Sequence, residues 1–133
     1  MNGASRFGRC ARRLLAGACA GTWSAAFWTS HIPVGRLPSK MPPDAVLHFS
    51  GFLVLAGAFA ATLDAYGARR QRRWLIVFLT MSVYAALDEM TQPIVNRSCD
   101  VRDWLADVAG ALAAVLLYET CRSLLAAIRR RGN

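Results

Sequence analysis

Acid is scarce in this chain. Asp and Glu together number eight against sixteen Lys and Arg, and charged residues of both signs make up only 18% of the sequence. With 55% hydrophobic residues that balance leans toward a membrane protein, although the sixteen basic residues hold the mean hydropathy to +0.29. Cysteine is sparse as well. Cys10, Cys19, Cys99 and Cys121 lie scattered, without the spacing of a metal site and without the density of a disulfide framework. Internal repeats and low-complexity linkers are missing, and at 133 residues the chain is too short for two ordinary cores, so residues 1–133 are read as a single domain. A continuous basic surface is missing too. The net charge of +8 would suit a nucleic-acid binder, but its arginines fall into separate blocks at Arg6, Arg9, Arg12 and Arg13, at Arg69, Arg70, Arg72 and Arg73, and at Arg122, Arg129, Arg130 and Arg131. Apolar runs separate the blocks, so they form bookends and not a groove, and nucleic acid is not expected as a partner.

What lies between the bookends is hydrophobic. The first run, LLAGACAGTWSAAFW, ends in aromatics suited to a membrane interface, and Gly17 with Gly21 makes a GxxxG spacing that lets helices approach closely. The alternative is a signal peptide with small residues at Ser24, Ala25 and Ala26 for cleavage. Four prolines in HIPVGRLPSKMPP mark a loop, and Pro43 suits the start of the next helix. The run from Asp44 to Tyr66 is about 33 Å long at ~1.5 Å per residue, enough for a ~30 Å hydrocarbon layer. GARRQRR then leads into a third run that Pro93 stops, and a fourth begins near Asp103. The expected fold is all-α, an integral membrane four-helix bundle with spans near 12–30, 44–66, 74–92 and 103–128. Placing both termini in the cytoplasm puts the three arginine blocks inside and only Arg36, Lys40, Arg97 and Arg102 outside, as the positive-inside rule asks. A bacterial inner or plasma membrane is the expected location.

The acids played no part in that orientation, yet they segregate along it. Asp44, Asp88, Glu89, Asp100, Asp103 and Asp107 fall toward the outer side, and only Asp64 and Glu119 toward the inner, too near the helix ends to extend an outer site. Asp44 with His48, Asp88 with Gln92, and Asp103 with Asp107 are each i, i+4 pairs that share a helix face. Below Asp107 the same stripe continues through Gly110 and Ala114, small enough for close packing. The spacing predicts a polar cup opening outward above a packed bundle, with Arg97 folding over the carboxylates. Charged groups at this depth persist by pairing, by facing water or by protonating, and they mark either a functional site or an ionic lock between helices. His31 shows no partner in the sequence and is read as a loop residue.

The segment DEMTQPIVNRSCDVRDWLADVAGA resembles the signature of VanZ-like membrane proteins, small four-span proteins named for an accessory factor in teicoplanin resistance. The resemblance runs from about Ile32 to Tyr118. It implies family roles for Asp44 and His48 at the second span, for Asp88, Glu89 and Gln92 at the end of the third, for Arg97 in the loop, and for Asp103, Asp107 and Gly110 in the fourth. The chain departs from the common pattern at Asn96, where a glycine usually precedes the arginine, and at Asp107, where asparagine is frequent.

The resulting expectation is a non-enzymatic membrane protein whose cup binds a membrane lipid headgroup or lipid-linked cell-envelope precursor, with a possible tie to glycopeptide resistance. The alternatives are a membrane-embedded hydrolase or transferase acting on such a lipid, and a structural protein that binds a membrane partner or a second copy of itself. For catalysis, two carboxylates and a histidine could exchange protons, but no Ser or Cys is paired with a base. No cofactor and no metal is assigned, since one histidine among acids favours hard cations or nothing.

Overall fold

A computed structural model of the chain describes residues 8–36 and 38–132; Arg6 of the first basic block lies outside them. Four helices run antiparallel in sequence order: α1 Arg9–Ser30, α2 Asp44–Ala65, α3 Arg70–Thr91 and α4 Val101–Arg131. Short 3₁₀ turns at Val34–Arg36 and Gln92–Val95 complete the described elements, and none of them is a strand. One end of the bundle therefore gathers the loops after α1 and α3, and is called the polar end. The other gathers the start of α1, the turn between α2 and α3, and the end of α4, and is called the arginine end.

Side-chain size is distributed opposite to a soluble bundle. Small residues fill the interior, where Ala56, Ala60, Ala85, Ala111 and Ala114 pack with Phe52, Leu55, Val77, Met81 and Val115. Large aliphatics face outward, among them Leu75, Leu79, Val83 and Leu87 on α3 and Leu116, Leu117, Leu124 and Leu125 on α4. This is a protein solvated by hydrocarbon, in which helices associate by close packing because lipid is as apolar as leucine. Helices α2, α3 and α4 are each long and apolar enough to cross a membrane. Helix α1 has the same 22-residue length as α2 and α3 but is not among those three, its run being richer in Ala, Gly, Ser and Thr than in large aliphatics. It is nonetheless packed into the bundle. The Trp23 ring lies 4.6 Å from Tyr84 and 6.1 Å from Phe59, and Thr62 Oγ1 donates to Leu15 O at 3.3 Å.

Helices α2 and α4 come close together at Gly110. A Cβ there would lie 2.2 Å from the carbonyl oxygen of Phe49 and 3.0 Å from its carbon, backbone atoms that cannot step aside. The GxxxG pair of α1 plays no such part within the chain, since a Cβ on Gly17 or Gly21 would meet nothing within 4 Å. Both glycines face outward.

The arginine end holds a buried ion network that helical spacing did not foretell. Arg73 is wholly buried; its Nε donates to Glu119 Oε1 at 2.8 Å, its Nη2 bonds the same oxygen, and its Nη1 donates to Asp64 Oδ1 at 2.7 Å and Ala68 O at 2.9 Å. Tyr118 lies beneath the guanidinium, 5.5 Å from ring centre to Cζ, and donates its hydroxyl to Asp64 Oδ2 at 3.0 Å. Arg122 Nε sits 3.0 Å from that oxygen as an ion pair, without the alignment of a hydrogen bond. The network draws the start of α3 back to Arg70, four residues before the expected Trp74. Gly67, at φ +87°, makes the preceding turn possible: its N–H bonds Asp64 O and that of Ala68 bonds Leu63 O, a left-handed helix ending that favours glycine.

Two outcomes test this packing. Gly110→Ala must push α2 and α4 apart and is expected to cost about 1 to 3 kcal/mol, as overpacking does, read as a lower unfolding temperature in detergent; Gly17→Ala should melt no lower than wild type. Arg73→Ala removes the buried partner shared by Asp64 and Glu119, leaving them Tyr118, Arg70 and Arg122, and is expected to cost up to about 3 to 5 kcal/mol. An unchanged melt would mean that water already reaches the pair.

Candidate polar site

The polar end brings together every residue that the spacing singled out. Its centre is His48, on the buried face of α2 one residue before the Phe49 carbonyl that meets Gly110. The close crossing places His48 Nδ1 3.0 Å from Asp107 Oδ1 on α4. An ionised carboxylate only accepts, so with Asp107 ionised Nδ1 is the donor of this bond. Nε2 lies 4.0 Å from Asp44 Oδ1, one turn earlier on α2, and Nδ1 lies 3.7 Å from Glu89 Oε1 on α3.

The remaining acids are held by groups from several segments. Gln92 Nε2 donates to Glu89 Oε1 at 2.9 Å and reaches Asp88 Oδ2 at 3.4 Å. Glu89 Oε2 accepts the backbone N–H of Asp100 at 2.9 Å, which fixes the start of α4 against the end of α3. Asp100 in turn caps α4 by accepting from Arg102 N at 2.8 Å, so the helix begins at Val101, before the expected Asp103. Asp107 is wholly buried and its Oδ2 has no partner among the described residues; the same holds for the Tyr84 hydroxyl. Asp103 is 8% exposed and neither accepts a side-chain hydrogen bond nor joins an ion pair within the described residues.

Arg97 does fold over the site, but its carboxylate is Asp44 alone. Nη2 donates to both oxygens of Asp44 at 2.7 Å, and Nη1 donates to Ser30 O at 3.3 Å. The arginine side chain is 8% exposed and that of Asp44 is 49% exposed, so this pair forms the rim where the site meets solvent. The turn that aims Arg97 explains the departure at Asn96. Asn96 has φ 59° and ψ 36°, with its N–H on Pro93 O and that of Arg97 on Gln92 O. Left-handed backbone of this kind favours glycine, and asparagine tolerates it best among the other residues. The substitution keeps the turn.

Three contributors escaped the sequence reading. Ser30 Oγ donates to Asp88 Oδ1 at 2.7 Å, which ties the end of α1 to α3. His31 is not a partnerless loop residue. It ends α1, stacks on Phe27 with ring centres 4.3 Å apart, and shares a hydrogen bond with Thr91 Oγ1 through Nε2 at 3.0 Å. Tyr84 sits with Phe52 and Trp23 between the cup and the core. Serine and histidine at a helix end give a local signal of polarity, but their partners are some sixty residues away.

A cleft of about 580 Å³ opens beside the cup. Its walls are largely apolar, with Ala26, Ile32, Leu47, Phe52 and Val54 among them, while His48, Asp88, Asp44 and Arg97 line its polar part. Ser50, Gly51 and Val54 carry it onto the exposed face of α2. No hydroxyl or thiol is hydrogen-bonded to His48 among the described residues, and Cys99 is exposed in the loop.

The turn at Asn96 yields a test. Asn96→Gly should leave the unfolding temperature unchanged within about a degree, whereas Asn96→Val should lower stability by about 1 to 2 kcal/mol, the cost of left-handed backbone for a residue with a full Cβ. Equal melts for the two variants would show that the turn relaxes.

The family model described as VanZ/LLP1 matches residues 16–122, a span that takes in Ser30 and every polar-end residue from Asp44 to Asp107. No curated protein and no solved structure matches the chain.

Proposed function

The chain belongs to the VanZ/LLP1 family, and on that premise we propose that it binds a membrane lipid or lipid-linked cell-envelope precursor, with the headgroup in the cup and a chain along the cleft. The observation that carries this reading is the composition of the cleft, apolar along its walls and charged at one end. A water-soluble ligand has no use for Phe52 and Val54, and a hydrocarbon chain has none for Asp44 and Arg97. A lipid uses both. Arg97 presents a planar donor set that suits a phosphate, and the carboxylates suit an amine or sugar hydroxyls on the same headgroup. The unpartnered Tyr84 hydroxyl adds a donor at the boundary between the two.

The distribution of arginine supports an outward cup. Arg9, Arg12, Arg13, Arg69, Arg70, Arg72, Arg73 and Arg129 to Arg131 gather at one end, which the positive-inside rule assigns to the cytoplasm, leaving the polar end at the outer face of the membrane. Glycopeptide antibiotics act at that face, so resistance is the cellular trait to measure once a ligand is known.

Native mass spectrometry of the full chain in detergent tests the reading. Wild type should retain a phospholipid or lipid-linked precursor through purification. Gly51→Phe, whose new side chain enters the cleft from a position where a Cβ meets nothing within 4 Å, should retain at least fivefold less, as should Arg97→Ala. Equal lipid on all three would sink the proposal and favour an ionic lock between helices.

A further inference from the structure

We propose that Asp44, His48 and Asp103 form a binding site for a divalent transition-metal cation at the mouth of the cup. The assignment goes beyond the lipid reading and stands without it. One donor atom from each of the three residues lies within 4.8 Å of the others. A cation bonded at about 2.0 to 2.2 Å reaches all three after a small side-chain movement.

The histidine is prepared for this role. Asp107 Oδ1 accepts a hydrogen bond from Nδ1 at 3.0 Å, which fixes the ring with Nε2 on the side of Asp44 Oδ1, 4.0 Å away, where a cation would take the place of any Nε2 proton. A carboxylate that orients an imidazole from behind is the usual outer-shell partner of a metal-binding histidine. Asp107 therefore serves as a positioning residue.

Asp103 supplies the independent reason. It sits in the first turn of α4, 8% exposed, within reach of both other donors, yet no hydrogen bond or ion pair engages its carboxylate among the described residues. A carboxylate largely withdrawn from water without a direct bonding partner is costly. Arg97 favours its charge from a distance but makes no bond to it, because Nη2 is engaged on Asp44 and Nη1 on Ser30 O. A cation between Asp103 and His48 Nε2 supplies that bond.

A second cluster, His48 with Asp88 and Glu89, has similar spacing but the wrong chemistry. Both of its acids are engaged, by Ser30, Gln92 and the Asp100 N–H, and His48 faces Glu89 through the Nδ1 that bonds Asp107, whereas at the mouth Asp44 is paired with Arg97 but Asp103 has no bond to give up. The donor set at the mouth, one imidazole and two carboxylates, admits Mn²⁺ and Zn²⁺, its imidazole setting it apart from the all-oxygen sites of the hard cations Ca²⁺ and Mg²⁺ toward which composition alone leaned. Asp44, half exposed, leaves the site open to ions from solvent.

The test uses the full chain, purified in detergent and stripped with chelator. Mn²⁺ is titrated and the free ion followed by electron paramagnetic resonance; Zn²⁺ is measured by dialysis and elemental analysis. Wild type should bind one ion of either kind per chain. Asp103→Asn and His48→Gln should weaken binding at least tenfold, Asp107→Asn by about 10- to 100-fold, and Asp88→Asn by less than threefold. Helix content and elution volume are checked for each variant. Asp103→Asn breaks no side-chain bond, so it carries the test even where His48→Gln does not fold. Absence of saturable binding to wild type, unchanged binding by Asp103→Asn, or loss by Asp88→Asn alone would overturn the assignment.

Discussion

The contact between Gly110 and the backbone of Phe49 is the constraint on which the rest of the bundle depends. In hydrocarbon there is no gain from hiding one aliphatic side chain against another, so helices hold together where their backbones come close. Here the missing Cβ of one glycine lets α4 rest against the peptide of α2. The residues on either side inherit their positions from that crossing. His48 precedes Phe49, and Asp107 lies one turn before Gly110, which brings the imidazole within hydrogen-bond distance of the carboxylate. Farther along, Ala56, Ala60, Ala111 and Ala114 keep the two helices close without bulk.

The two ends handle buried charge in opposite ways. At the arginine end Arg73 has carboxylate or carbonyl partners for all three of its nitrogens, and Arg70 and Arg122 stand near the same acids. Each charge meets its opposite, and an aromatic ring covers the guanidinium. A closed network of this kind holds helices and asks for nothing further. At the polar end the acids outnumber their cationic partners; among the described residues Asp107 Oδ2 has no partner and no hydrogen bond or ion pair engages the Asp103 carboxylate, and the rim pair is partly exposed. Charge left uncompensated in a membrane protein needs a ligand, an ion or a proton, and on the proposed reading the polar end is where a ligand supplies it.

What the sequence disclosed follows the range of the forces involved. Helix spacing is local, so the i, i+4 pairs and the stripe below Asp107 were legible, and the structure places Asp44, His48, Asp88, Gln92, Asp103 and Asp107 at one end as that spacing implied. Partnership across helices is not local. Nothing in the neighbourhood of Arg73 announces Glu119, which stands on another helix, and a basic run beside a membrane span reads simply as an orientation signal. The GxxxG of α1 misled for the same reason: the motif permits close approach without naming the helix that approaches. Asn96 shows the reverse case, where one backbone angle, invisible in the sequence, turns an apparent departure into a conservative exchange.

The cleft adds a consequence for how a ligand reaches the cup on the proposed reading. Ser50 and Val54 belong to a surface that faces hydrocarbon, whereas Asp44 and Arg97 stand at the rim. A lipid entering between α1 and α2 keeps its chain in an apolar medium throughout and moves only its headgroup into the protein. Entry from water would first require the chain to leave the bilayer, at about 0.8 kcal/mol for every methylene exposed. The sideways route is therefore favoured, through the opening that already lies between α1 and the exposed face of α2, and the Ser30 bond to Asp88 fastens the end of α1 beside the headgroup.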